Sequence, residues 1–191
     1  MKDTSAFNFT KLSKEGKFIN VLTNEDVRMI SFPGQVQLLQ FLVRLIKAKN
    51  ILEVGTFTGF GALGMAEVMA AGGKVTGIEI EPVFCEFVNK RAREHDLNVD
   101  VKEGKAIEIL KSLAEEGQKF DFIYIDCLKD EYLEYYKIIM DNKMLSPNGL
   151  IACDNVIWSG RSITRSDTDG SALDDFAQFV VEDKRVVSVR L

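Results

Sequence analysis

Two short stretches of the chain set acids at the ends of apolar runs. FDFIYIDCLK carries Asp126 and Lys129, and LIACDNVIW carries Asp154 and Asn155. Two carboxylates and an amide oxygen suit Mg2+, with Ca2+ or Mn2+ as further hard cations, water and substrate oxygens completing the shell. Zinc favours thiolate and imidazole. Cys127 and Cys153 adjoin the acids, but side chains alternate along an extended chain, so acids facing a common site turn these thiols into the packing. Taken alone, Asp154-Asn155 also reads as a turn or a helix cap. A lysine partly desolvated beside a divalent cation loses basicity and can act as a base. Otherwise Lys129 is a surface residue paired with Asp130 or Glu131. The only histidine, His95, lies in the charged string RAREHDLN and reads as a surface residue near a helix end. Proton abstraction at neutral pH therefore falls to Lys, a carboxylate, Tyr or Cys.

A second chemical feature precedes these acids. Residues 51–66, ILEVGTFTGFGALGMA, run an apolar strand through a glycine-rich turn into a helix of small residues. Gly55, Gly59 and Gly61 let backbone lie against a ligand. A dinucleotide fingerprint wants glycines at i, i+2 and i+5, whereas these follow at intervals of four and two. Glu53, two residues before the turn, repels phosphate and favours a ligand with a cationic end. S-adenosyl-L-methionine, with its sulfonium and ammonium groups, meets that description. Glu53 either touches the ligand's amino group or braces the loop. Glu79, 24 residues after Gly55, is placed to accept the ribose hydroxyls of an adenosine ligand.

These residues need a scaffold that gathers them. Leu38, Leu39, Leu42, Leu45 and Ile46 recur at helical spacing after Pro33-Gly34. Beyond them, apolar strands near 50–54, 74–80, 98–102, 120–125, 149–153 and 185–190 alternate with helices near 60–71, 82–95, 105–116, 131–144 and 171–182. In the 131–144 helix, Tyr132, Tyr135, Tyr136 and Ile139 form a core-facing stripe. Such alternation predicts an α/β fold, a Rossmann-like, doubly wound, mostly parallel sheet with helices on both faces. Ligands then sit beyond the carboxyl ends of the strands, where strand order switches. Glu53, Glu79, Asp126, Asp154 and Asn155 all end strands.

Composition narrows the alternatives. The 191 residues suit one domain, and a net charge of −5 leaves no excess of Lys and Arg for a general nucleic-acid surface. Lys90, Arg91 and Arg93 read as the wet face of a helix. Arg161 and Arg165 meet an acidic substrate tail or solvate a loop. The three cysteines lack a Cys-x-x-Cys pair and are expected as reduced thiols of a cytoplasmic protein. Residues 1–18 lack the apolar stretch of a signal peptide, and residues 51–73 are too interrupted by Glu53, Glu67 and glycines to span a membrane.

Over residues 30–190 the sequence resembles the cation-dependent class I O-methyltransferases, the group of catechol and caffeoyl-CoA O-methyltransferases. The resemblance rests on GQVQLLQFLVRLIKAKNILEVGTFTGFGALGMA, GIEIEP, FDFIYIDCLKDEYLEYY and NGLIACDNVIWSGR. It implies metal ligation by Asp126, Asp154 and Asn155, and catalysis by Lys129 with Asp126. It implies cofactor contacts from Glu53, the loop Gly55, Thr56, Phe57, Gly59 and Gly61, then Glu79, Ile80, Gly104, Ala106 and Asp126. Trp158 would wall the aromatic ring. The implied reaction moves a methyl group from S-adenosyl-L-methionine to a hydroxyl of a small aromatic vicinal diol held by the cation, with Lys129 taking or relaying the proton. A homodimer is also implied, with residues 1–30 a helical segment acting as substrate lid or dimer contact and 31–191 the core.

The chain departs from the family pattern in four places. Leu128 replaces an acid, Cys127 a common alanine, and Gly61 a frequent serine. Relatives also continue past RVVSVRL into a final antiparallel strand, so that strand is expected to be missing. Two other readings stand beside the enzyme. One is a methyltransferase fold that binds cofactor or partner without catalysis, favoured by Leu128 and opposed by the intact acids and lysine. The other is a nicotinamide-dependent dehydrogenase, disfavoured by the absent pyrophosphate fingerprint.

Overall fold

The computed structural model describes residues 30–165 and 167–190. The expected N-terminal lid or dimer segment lies outside these residues, and the expected role of Trp158 lies outside the described side chains.

Pro33, with its preset φ, opens helix α1 (Pro33–Leu45), which buries Val36, Leu39 and Val43. Strand β1 (Asn50–Val54) runs through the glycine turn into α2 (Phe60–Ala66), a short helix buried from Gly61 to Ala66. Next come β2 (Lys74–Glu79), α3 (Pro82–Glu94), β3 (Val99–Glu103), α4 (Ala106–Glu115) and β4 (Phe120–Ile125). A 3-10 turn, Lys129–Glu131, leads into α5 (Tyr132–Asp141), then β5 (Leu145–Cys153), α6 (Arg161–Thr164) and α7 (Thr168–Glu182).

The strands pair in the order β3-β2-β1-β4-β5, all parallel. From β1 the chain winds outward to β3, crosses back, and winds the other way through β4 and β5. The switch point, where the crevice opens, therefore lies between β1 and β4. Ile51, Val75, Phe122 and Tyr124 point to one face, against Leu39, Val43, Ala62 and Met65 of α1 and α2. Leu52, Val54, Ile78, Ile123 and Ile125 point to the other, against α4, α5 and α7. Truncating a side chain such as Leu52 to alanine in this double core costs about 2–5 kcal/mol. The predicted stripe of Tyr132, Tyr135, Tyr136 and Ile139 is buried as expected.

The sequence reading is corrected at the tail. Residues 185–190 form no strand, and Val187 and Val189 are 96% and 78% exposed. Alternating valines suit a strand, but a strand exists only when its backbone finds a ladder partner. Here the chain leaves α7 through a turn in which the Arg185 guanidinium bonds Asp183 and Asp141, and it reaches no sheet edge. Among the described residues the sheet carries no antiparallel strand.

Candidate active site

The glycine turn is shaped by contacts that exclude side chains. Gly55 has φ +89°, and a Cβ on it would lie 2.1 Å from the backbone oxygen of Asp126. Glycine there lets the end of β1 close against the end of β4. Gly59 and Gly61 are required by the protein's own packing. A Cβ at Gly59 would strike Val88 of α3, and one at Gly61 would lie 2.0 Å from Oε1 of Glu53. Phe57, at φ +47°, packs edge-on against Phe84, and its amide donates to Glu79 Oε2 at 2.6 Å.

Glu79 is the organising acid of the β2 end. Besides Phe57, the amides of Ile80 and Glu81 donate to its Oε1 at 2.9 and 3.0 Å, and the Gly104 amide donates to its backbone oxygen at 2.9 Å. An ionised carboxylate offers about four acceptor positions, so three amides leave capacity for a ligand hydroxyl. The Ile80 side chain stands 57% exposed at this mouth. Ala106 opens α4 after Gly104 and is half-buried against the core.

Glu53 lies inside the fold, 2% exposed. Burial, reinforced by the charges of Asp126 and Glu79, holds its carboxyl well above the usual range, while the Ala62 amide and Thr56 pull the other way. Its Oε2 is buried with no hydrogen-bond partner. The carboxyl thus packs against the first turn of α2.

An acid whose native pKa is raised lends stability at low pH that is lost as pH rises through that native value. Glu53→Gln is therefore expected to stabilise the ligand-free protein near neutral pH by about 1–3 kcal/mol. Thermal melts from pH 5 to 8 check this: the variant's advantage should widen with pH, and a variant less stable throughout contradicts it.

At the switch point, the end of β4 gathers the remaining chemistry. Asp126 Oδ1 accepts from Lys129 Nζ at 2.9 Å, and Oδ2 from the Tyr124 hydroxyl at 3.3 Å. Lys129 is 9% exposed rather than a surface residue, and its Nζ also donates to the Tyr132 hydroxyl at 2.7 Å. That hydroxyl sits 3.2 Å from the backbone oxygens of Ile125 and Asp154, tying α5 to both strand ends. Burial and the charge of Asp126 raise the Asp154 carboxyl, while bonds from Gln35 and the Asn155 amide, and the charge of Lys129, oppose this. Asn155 follows at φ +53°, a region that asparagine tolerates better than most residues. Cys127 and Cys153 pack against the core as expected, and burial pushes the Cys153 thiol up to about 12.

Asp126, Lys129 and Asp154 thus meet. Among the described residues no group of three or more His, Cys, Asp or Glu is placed to hold a metal. The donors here are the Asp126 and Asp154 carboxylates, with Asn155 next in the chain. Two like charges with one lysine beside them favour a further cation, and oxygen donors fit a hard divalent one.

Three groups escaped the sequence reading: Gln35, Tyr124 and the hydroxyl of Tyr132. The one signal was a tyrosine rather than a phenylalanine at the end of a buried strand, since a buried phenol needs a partner. Outside the site, His95 is exposed at the end of α3. Lys90 and Arg91 pair with Glu94, and Arg161 and Arg165 pair with Asp167 and with Asp174 and Asp175. No helix among the described residues is long and apolar enough to cross a membrane.

A model of the O-methyltransferase family matches residues 4–191. A catechol O-methyltransferase of Niastella koreensis is 36% identical over 140 residues, 72% of this chain and 62% of that protein. A caffeoyl-CoA O-methyltransferase of Eucalyptus globulus is 37% identical over 144 residues, 73% of this chain and 57% of that protein. The chain thus spans about six tenths of the length of these curated relatives. Among solved structures, an O-methyltransferase from Bacillus cereus in complex with SAH (S-adenosylhomocysteine) superposes with a TM-score of 0.82 at 26% identity, covering 97% of this chain and 82% of that one. An SAH-bound methyltransferase of Podospora anserina gives 0.81 at 28% identity, covering 94% and 82%.

Proposed function

The chain belongs to the O-methyltransferase family, and from that premise we propose that it methylates a hydroxyl of a small aromatic vicinal diol, with S-adenosyl-L-methionine as methyl donor and Mg2+ or a similar divalent cation as cofactor. The observation that carries the reading is the meeting of Asp126, Lys129 and Asp154 beside the glycine turn. Asp126, Asp154 and Asn155 would hold the cation. Bound there, the cation would supply Lewis acidity that makes a diol hydroxyl more acidic.

Lys129 takes or relays the proton of that hydroxyl, its Nζ being fixed by Asp126 and Tyr132. Glu79 accepts from the ribose, and Ile80 covers the adenine with Gly104 and Ala106. Glu53 Oε2 answers the cationic amino end across the turn of Gly55, Thr56, Phe57, Gly59 and Gly61. Charges of opposite sign cancel as the methyl group moves, so burial of the site favours transfer. The relatives' names and the two SAH-bound structures support this reading at the level of the family.

The test is methyl transfer from labelled S-adenosyl-L-methionine to a panel of catechols, with Mg2+ and again with EDTA. The expected result is turnover on vicinal diols that EDTA removes. Turnover unaffected by EDTA would refute the cation's role, and SAH binding without transfer to any diol would favour a non-catalytic binding protein.

A further inference from the structure

The Asp126 carboxylate is gripped from opposite faces of the sheet by different kinds of donor. On the α5 side Lys129 brings a charge. On the α1 side the donors are neutral. The side-chain amide of Gln35, in the first turn of α1, reaches the Tyr124 hydroxyl at 2.5 Å, across 89 residues of sequence. The Tyr124 hydroxyl in turn donates to Asp126 Oδ2 at 3.3 Å. One amide and one phenol thus tie the Asp126 carboxylate to α1.

From this bridge we infer that Gln35 and Tyr124 are positioning residues, which aim the Asp126 carboxylate at the place a divalent cation would occupy. A neutral donor fixes a carboxylate while leaving its charge for the cation, whereas an ammonium neutralises it. Tyr124 is 2% exposed, so its ring cannot swing away. Gln35 is held by its helix, whose Val36, Leu39 and Val43 are in the core. Residues that orient metal ligands in this way typically change metal affinity tenfold to a hundredfold when lost.

The inference rests on the cation reading above, and the experiment separates the two. Mg2+ is titrated calorimetrically into the full chain without substrate, for wild type, Tyr124→Phe and Gln35→Ala, alongside thermal melts in EDTA. Each variant is expected to bind Mg2+ about tenfold to a hundredfold more weakly, with its metal-free melting temperature within a few degrees of wild type. The double variant should lose less than the sum, since both act through one bridge. Unchanged Mg2+ affinity in both single variants, with lower melting temperatures, would make the bridge merely structural and overturn the inference. Should Tyr124→Phe fold poorly, Gln35→Ala reads the same bridge from a half-buried helix position. A wild type that binds no Mg2+ would defeat the cation reading, and this inference with it.

Discussion

Asp154→Ala is expected to lower diol methylation by about two to three orders of magnitude while leaving the metal-free fold intact. The loss follows from removing one of two carboxylates that would share the cation. Lewis-acid stabilisation is worth several kcal/mol, and each 1.36 kcal/mol is a factor of ten in rate. The fold survives because the structural bonds of Asp154 are made by its backbone. Its amide donates to Ile125 and its carbonyl accepts from Tyr132. The lost side chain was repelled by Asp126, so the melting temperature in EDTA should hold or rise. Steady-state rates with a catechol and melts in EDTA check both halves. Near wild-type turnover, or a collapsed fold, contradicts the account.

Lys129→Met separates proton handling from binding. Loss of a positioned proton acceptor typically costs a factor of about 10^2–10^4, so kcat should fall within that range while S-adenosylhomocysteine affinity stays within a few-fold. The substitution also strips Asp126 Oδ1 of its 2.9 Å ammonium partner. A divalent cation should therefore stabilise the variant more than wild type, because it now meets an uncompensated carboxylate. Melts with and without Mg2+ read this directly. A variant with normal kcat would remove Lys129 from the chemistry, and equal stabilisation by Mg2+ in both proteins would deny that ammonium and metal compete for Asp126.

Much of this arrangement is legible in the sequence because its physics is local or topological. Apolar runs such as ILEV and FDFIYI are buried on both faces, so they read as parallel strands, and the rule that ligands sit at strand mouths then singled out Glu53, Glu79, Asp126 and Asp154. What escaped depends on partners far apart in sequence. Val187 and Val189 of RVVSVRL have strand character yet stay exposed, since no ladder partner reaches them. Gly59 and Gly61 announced a tight turn, but the Val88 and Glu53 side chains that exclude a Cβ there come from elsewhere in the chain. Gln35 and Tyr124 lie 89 residues apart, and only the folded sheet brings them together.

The account stands on Asp126, Asp154 and Asn155 sharing one cation at the β1–β4 crevice. Calorimetric titration of Mg2+ into the protein saturated with S-adenosylhomocysteine measures that most directly. The expected isotherm shows one site per chain in wild type and none in Asp126→Ala or Asp154→Ala. Binding that persists undiminished in both variants, or a wild type that takes up no Mg2+, would contradict it.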